Sequence, residues 1–244
     1  MKAMKQLFSW TNLRLLLMFV LVVFLYSFTS QRNEQRKLKS SVVIFTNDDS
    51  PFVTNEMVNK LLIENKSDAR TIRKDKLDLN KLEKSINNHE MIEKSEVFVS
   101  IDGVLKAVVK QKTPIARVFD ENDSFYIDYK GNRMSLSDNF TARVPIISGS
   151  LSEQNRKEIS EMFRMIHNDD FLRKNITGAV ISPTGSVKMT NRNFNYEIDF
   201  GKMINMQKKF NNYKAFFQKA VLDSSINNYK MINLKFTQQV VCTK

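Results

Sequence analysis

The stretch Glu96-Val97-Phe98-Val99-Ser100-Ile101-Asp102-Gly103-Val104-Leu105-Lys106-Ala107-Val108-Val109-Lys110 decides the fold. Val97, Val99 and Ile101 alternate with other positions, which puts them on one side of an extended chain, and β-branched residues fill the segment on both sides of Asp102-Gly103. Glycine supplies the positive φ that a tight turn demands, so the segment predicts a hairpin of two antiparallel strands.

Upstream of the hairpin, Val42-Val43-Ile44-Phe45 is a short strand-like run closed by Asn47-Asp48-Asp49-Ser50-Pro51, a dense turn signal. Thr54 is placed to cap a helix whose first turn carries Glu56 and whose Met57, Val58, Leu61 and Leu62 recur at helical spacing. A second helix is expected from near Asn80, with Glu83 completing a capping box and Leu79, Leu82 and Ile86 on one face. Strand, helix, helix, strand, strand is the order of a small α+β unit with two helices on one sheet face.

Further upstream, Leu13 to Phe28 reads LRLLLMFVLVVFLYSF, and counting back to Leu7 gives roughly 22 residues, enough to cross a hydrocarbon core of ~30 Å. Arg14 is the only charge within it and lies near one end, where it can snorkel, while Trp10 and Tyr26 suit the two interfaces. The alternative is a cleaved signal peptide. The run is long for one, and Tyr26-Ser27-Phe28-Thr29-Ser30 offers no small-x-small site, which favours an uncleaved anchor. Lys2, Lys5 and Arg14 before the span are matched by Arg32, Arg36, Lys37 and Lys39 after it, so charge does not set the orientation. A short leader before a long following domain points to a cytoplasmic N-terminus.

Downstream, Ser152 is placed to cap a helix with Ile159, Met162, Phe163 and Ile166 on one face. Ile176 to Thr190 alternates around the turn Pro183-Thr184-Gly185. Phe194, Tyr196, Ile198 and Phe200 alternate up to Gly201, and a helix follows with Met206, Phe210, Tyr213 and Phe217 on one side. A last strand is expected over Met231 to Val240. The fold class is α+β: a transmembrane helix, a β-α-α-β-β unit, then a strand-rich domain with helices packed on its sheet. The expected divisions are a leader over 1–12, a transmembrane helix over 13–29, a linker over 30–40, a first domain over 41–110 and a second over 111–244.

Enzyme signatures are missing from the sequence. None of the six glycines forms a G-x-G-x-x-G or G-x-x-x-x-G-K loop, which excludes the common nucleotide cradles. The one cysteine, Cys242, has no intrachain partner for a disulfide, and with only His89 and His167 a histidine metal site would need carboxylate help. No catalytic residue, cofactor or metal is expected. Asp169-Asp170 reads as a carboxylate pair or, more simply, as a solvated turn, and each histidine stands near a helix end, where the dipole favours it. A net charge of +12 draws any polyanion. Tyr129-Lys130 and Lys209-Phe210 could stack on bases, or serve as ordinary strand and helix residues.

Several segments together carry a resemblance. Phe52-Val53-Thr54-Asn55-Glu56 resembles the entry to the first helix of a POTRA module, and Ile92-Glu93-Lys94-Ser95-Glu96-Val97 resembles the entry to its second strand, with Ser95 where alanine is usual. Lys110-Gln111-Lys112-Thr113-Pro114-Ile115-Ala116-Arg117 is similar to an "E-x-x-P-x-A" crossing between domains, with Gln111 or Lys110 in place of glutamate. Phe125-Tyr126-Ile127-Asp128-Tyr129-Lys130-Gly131-Asn132-Arg133-Met134 resembles "l-v-D-x-x-G-x-x-f" and Val144-Pro145-Ile146-Ile147-Ser148-Gly149 resembles "l-P-x-l-x-G". Ile232-Asn233-Leu234-Lys235-Phe236 stands where "V-D-l-R-Y" is usual. These are the marks of the bacterial division family FtsQ/DivIB.

The resemblance implies a non-enzymatic divisome scaffold in the inner membrane, its bulk periplasmic, at the division septum. It implies partners of the FtsB/FtsL type, received by strand addition at the edge of the C-terminal strand. The implied contact residues are Leu234, Lys235, Phe236, Thr237, Gln238, Gln239 and Val240, with Lys235 meeting an acidic group and Phe236 a desolvated anchor. A different class of function is an accessory protein of envelope assembly or secretion, where POTRA modules also occur.

Overall fold

A computed structural model describes residues 10–34, 36–46, 51–63, 69–74, 77–120, 123–152 and 154–244. Lys2, Lys5 and Leu7 of the leader and the turn Asn47-Asp48-Asp49-Ser50 lie outside the described residues. The chain packs as two compact units. The first takes residues up to Thr46, Asn55–His89 and Lys94–Val109; the second takes a short piece ending at Thr54, Glu90–Glu93 and Lys110–Lys244.

In the first unit, helix α1 spans Trp10–Glu34. Its Trp10–Arg32 stretch is long and apolar enough to cross a membrane, by length and composition. The helix runs past Thr29 because Ser30-Gln31-Arg32 contains no breaker, so the first residues of the expected linker are helical. Arg14 lies over the Trp10 ring at 5.4 Å, near one end of the span as anticipated.

The remainder of this unit follows the order β1 (Ser40–Phe45), α2 (Asn55–Leu62), α3 (Leu79–Asn87), β2 (Ile92–Val99) and β3 (Val104–Gln111). The sheet order is β1-β3-β2, with β1 parallel to β3 from Ser40 opposite Val104 to Phe45 opposite Val109. A parallel partner for β3 requires a long crossover, which the two helices supply. Val58, Leu62, Leu82 and Ile86 are buried, as are Val97, Leu105 and Ala107 of the sheet. Gly103 turns the β2–β3 hairpin at φ 91°, as its sequence predicts. Ile101 departs from the expected alternation: it sits in that turn and is fully exposed. The cap of α3 also differs. Asp78 accepts from Lys81 N at 3.0 Å, whereas Glu83 accepts from Val97 N at 3.2 Å and so ties the helix to the sheet instead of closing a capping box.

The second unit is one nine-stranded sheet with helices on one face. Its elements are β4 (Pro114–Asp120), β5 (Asp123–Asp128), β6 (Arg133–Met134), β7 (Ile146–Gly149), α4 (Arg156–Asn168), α5 (Asp170–Asn175), β8 (Ile176–Ile181), β9 (Ser186–Asn191), β10 (Glu197–Lys202), α6 (Met206–Leu222), β11 (Met231–Asn233) and β12 (Val241–Thr243). The strand order is β12-β11-β10-β9-β8-β7-β4-β5-β6. Strand registers place Ala179 beside Met189 and Ile181 beside Val187, so alternate residues of neighbouring strands line one face. That face, with Val118, Ile147, Ile198, Phe200 and Ile232, forms the core with Ile159, Met162, Phe163 and Ile166 of α4 and Phe210 and Tyr213 of α6.

Phe52 and Val53, read from the sequence as the entry to the first helix, are buried in this second unit. Phe52 meets Tyr126 and Phe140 edge-on, and Val53 N donates to the buried Gln111 Oε1 at 2.9 Å. Helix α4 begins at Arg156 behind Asn155, three residues later than a Ser152 cap would have it. The Ser152 carbonyl instead accepts from Asn155 N and Arg156 N in a preceding turn.

Candidate functional site

The last elements do not form the single strand expected over Met231 to Val240. Strand β11 ends at Asn233, residues 234–240 form a connection, and Val241–Thr243 return antiparallel to β11 as the edge strand β12. Leu234 still leans on β10, its N–H donating to Asp199 O at 2.8 Å. The chain then leaves the sheet where Asn233 Oδ1 takes the Lys235 N–H at 3.0 Å. A side chain competing for backbone hydrogen bonds at the end of a strand stops the ladder there.

The seven residues assigned from the sequence therefore separate by environment. Leu234 is core at 1 % exposure, and Val240 packs partly buried against the same core. Lys235 Nζ reaches Asp199 Oδ2 at 2.7 Å, so its charge already has an acidic partner within the chain. Phe236 stands half exposed, at 51 %, without a place in the core. Thr237 O accepts from Asn212 Nδ2 of α6 at 3.1 Å, which pins the connection to the helix.

Lys235 to Gln239 line a cleft of about 410 Å³ together with Ile204, Asn205 and Lys209. Ile204 is also well exposed, so the cleft carries two solvent-facing apolar side chains between two ammonium groups. Lys209 is buried to 1 % exposure, donating from Nζ to Phe200 O and Lys202 O, both at 2.8 Å, with the Phe200 ring 4.7 Å away. Burial pushes its ammonium pKa down while Asp199 pulls the other way. Ile204, Asn205 and Lys209 lie some thirty residues before the connection. Sequence periodicity reads Lys209 only as a helix residue, and no local pattern marks Ile204 as exposed.

Beside the connection, β12 has β11 on one side and, among the described residues, no strand on the other. The Thr243 carbonyl faces β11, accepting from Lys230 N at 2.8 Å. Backbone groups alternate along a strand, so the N–H and C=O of Cys242 face the open edge. The Cys242 side chain turns toward the core, and burial raises its thiol pKa, which keeps it protonated and unreactive.

The other residues singled out from sequence are occupied elsewhere. Asp169 caps α5 by accepting from Phe171 N and Leu172 N, each at 3.0 Å, and pairs with Lys214 Nζ at 2.6 Å. Asp170 pairs with Arg173, so the two carboxylates do not share a site. His167 ends α4 with its ring edge-on to Tyr129. Lys209 and Phe210 are both buried and cannot stack on bases, which removes that half of the nucleic-acid reading.

A search of curated proteins returns no match for this sequence. A family model described as FtsQ/DivIB, C-terminal related, matches residues 113–243, which is more than half of the chain and takes in all nine strands of the second sheet. With its α+β architecture and its apolar N-terminal helix, the chain belongs to the FtsQ/DivIB family of cell-division proteins.

Proposed function

We propose that this chain is a non-enzymatic scaffold of the division machinery, held in the inner membrane by α1 with its bulk on the periplasmic side at the septum. Its two units correspond in this reading to a POTRA-like domain and an FtsQ-type β domain, and the second receives FtsB/FtsL-type partners. The observation that carries the reading is the outer edge of β12, which has no strand beyond it among the described residues, together with the half-exposed Phe236 in the connection that leads into it. An unpaired strand edge offers N–H and C=O groups to an incoming strand, and an exposed aromatic next to it offers an anchor. The contact assigned to the C-terminal strand thus falls on Val241–Thr243, with Phe236 and Gln239 flanking it and Leu234 serving as core.

The test is binding of the full chain, in detergent micelles, to the FtsB/FtsL pair from the same cell. Phe236→Ala and Cys242→Pro, the latter deleting an outward N–H, are each expected to weaken binding by more than about 1–2 kcal/mol. Lys235→Glu is expected to weaken it too, by repelling Asp199 and loosening the connection. Wild-type binding untouched by all three variants would move the interface off this edge. No binding at all would favour an accessory role in envelope assembly or secretion.

A further inference from the structure

At the C-terminal end of α1 a cleft of about 380 Å³ is lined by Tyr26, Phe28, Thr29, Ser30 and Arg32 of the helix and by Arg36 just beyond it. Its lining is graded along the chain: aromatic rings come first, next to the apolar run, then hydroxyl groups, then two guanidinium groups. We propose that this cleft binds the phosphate of an anionic phospholipid headgroup and so clips the membrane helix to the folded part of the first unit. The site rests on the reading of α1 as a membrane span.

The depth is right for a headgroup. A helix rises about 1.5 Å per residue, so Tyr26 and Arg32 stand roughly 9 Å apart along the axis, which carries the chain from the hydrocarbon boundary through the headgroup layer. Tyrosine favours that boundary and arginine the phosphates beyond it. Phe28 and Arg32 fall four residues apart and share a helix face, so a lipid lying along that face meets the ring with its chains and the guanidinium with its phosphate. Residues 32–39 carry Arg32, Arg36, Lys37 and Lys39 against Glu34 alone, an excess of positive charge wherever the Glu34 carboxylate lies. That excess repels the cation of a phosphatidylcholine headgroup, whereas an anionic headgroup carries none. The dipole at this end of α1 suits the arginines and opposes an anion, so the guanidinium groups and not the backbone hold the phosphate.

The two arginines belong to different parts of the first unit. Arg32 is the basic residue in the last turn of α1. Arg36 is fixed to the folded part: its carbonyl accepts from Lys74 N at 3.0 Å, and two residues on Leu38 is buried, with its N–H donating to Ile72 O at 3.0 Å. Each guanidinium fork fits phosphate oxygens in pairs. One phosphate held by both therefore spans the joint and limits the swing of the folded part on its anchor.

The experiment titrates the full chain in zwitterionic micelles with dihexanoyl phosphatidylglycerol, with dihexanoyl phosphatidylcholine and with inorganic phosphate. Arg32→Gln and Arg36→Gln are compared with Lys37→Gln, which removes the same charge from an exposed neighbour outside the cleft. Phosphatidylglycerol is expected to bind at least about tenfold more tightly than phosphatidylcholine, and each arginine variant to cut that preference about fivefold while Lys37→Gln leaves it in place. A preference that Lys37→Gln lowers as much as the arginine variants do would be diffuse attraction and overturn the site. Equal binding of the two lipids overturns it too, and binding of inorganic phosphate with neither lipid reassigns the cleft to a soluble phosphate. Alkaline carbonate extraction of the full chain from vesicles separates the two readings. A chain that stays in the bilayer without lipid preference sinks only the headgroup site, whereas a chain that is extracted sinks the membrane span and the site with it.

Discussion

Individual residues in this chain are fixed by what their neighbours leave room for. Gly149 ends β7 at φ 94°, and a Cβ on it would meet Ile181 O at 2.2 Å, so the β7–β8 pairing depends on its being glycine. Gly149→Ala is expected to lower stability by at least about 2 kcal/mol, combining a strained left-handed backbone with a backbone clash. Urea unfolding, read as a fall in midpoint at constant slope, checks this. Ser95 shows the same dependence with polarity added. It is buried, its N–H and hydroxyl both turned to Asn87 Oδ1 at 2.6 and 3.0 Å. Asn87→Leu should therefore cost about 1–3 kcal/mol by stranding the buried Ser95 N–H and leaving its hydroxyl only the long 3.5 Å contact to Glu83 O, and Ser95→Ala in that background should restore part of the loss. The serine was visible in the sequence as a departure from the usual alanine. The asparagine that makes it tolerable was not, since eight residues and a turn separate them.

Among the elements, the joint between α4 and α5 carries a predicted response to acid. Burial tends to raise the Asp169 carboxyl, but Lys214 and the Leu172 and Phe171 N–H groups outweigh it and hold the pKa below the usual carboxylate range. Its folded pKa lies below the unfolded value near 3.9, so the stability it adds is present above that pH and is lost as pH falls through the folded value. Burial, and then Arg173, push the His167 imidazole below its ordinary value near 6.5. Folding thus resists its protonation, and that contribution also fades as pH falls from about 6.5. The protection factors of the Phe171 and Leu172 amides, taken relative to the intrinsic exchange rate at each pH, should fall in two stages on acidification. Asp169→Asn, which keeps an acceptor at the cap, should abolish the stage below about 4, and His167→Gln the stage below about 6.5. The sequence located both residues at the ends of helices. Their partners Lys214 and Tyr129 come from elements about forty residues away in either direction, beyond the reach of helical spacing.

For the whole molecule, the apolar α1 and the two packed units make separable demands. The full chain should partition into lipid vesicles, whereas a chain beginning at residue 36 should stay in solution in flotation assays, because the largely apolar stretch Trp10–Arg32 contributes most of the transfer energy. Retention of the shortened chain by anionic vesicles alone would assign the membrane affinity to surface charge instead. Within the second unit, the sheet buries one face under α4 and α6 while β12 remains at its margin. A protein that keeps an open edge runs the risk of unwanted pairing. Here the edge strand is three residues long and ends beside Lys244, which limits that risk while leaving backbone groups for a partner.

Local physics settled much of this in advance. An uninterrupted apolar run can satisfy its backbone in lipid only as a helix, Asp102-Gly103 between alternating β-branched residues can hardly be other than a hairpin, and the apolar stripes of α4 and α6 name their own buried faces. Each of those outcomes depends on residues within a few positions of one another. The tertiary structure decided where Phe52 and Val53 are buried, where the last strand breaks, and which of residues 234–240 face solvent. It alone brought Ile204 and Lys209 to the connection, and Lys130 and Arg164 to one cleft. Those outcomes depend on pairing between distant segments. Asn233 closing its own turn against β11, and the register of β10 against β11, are set by contacts that no local period encodes.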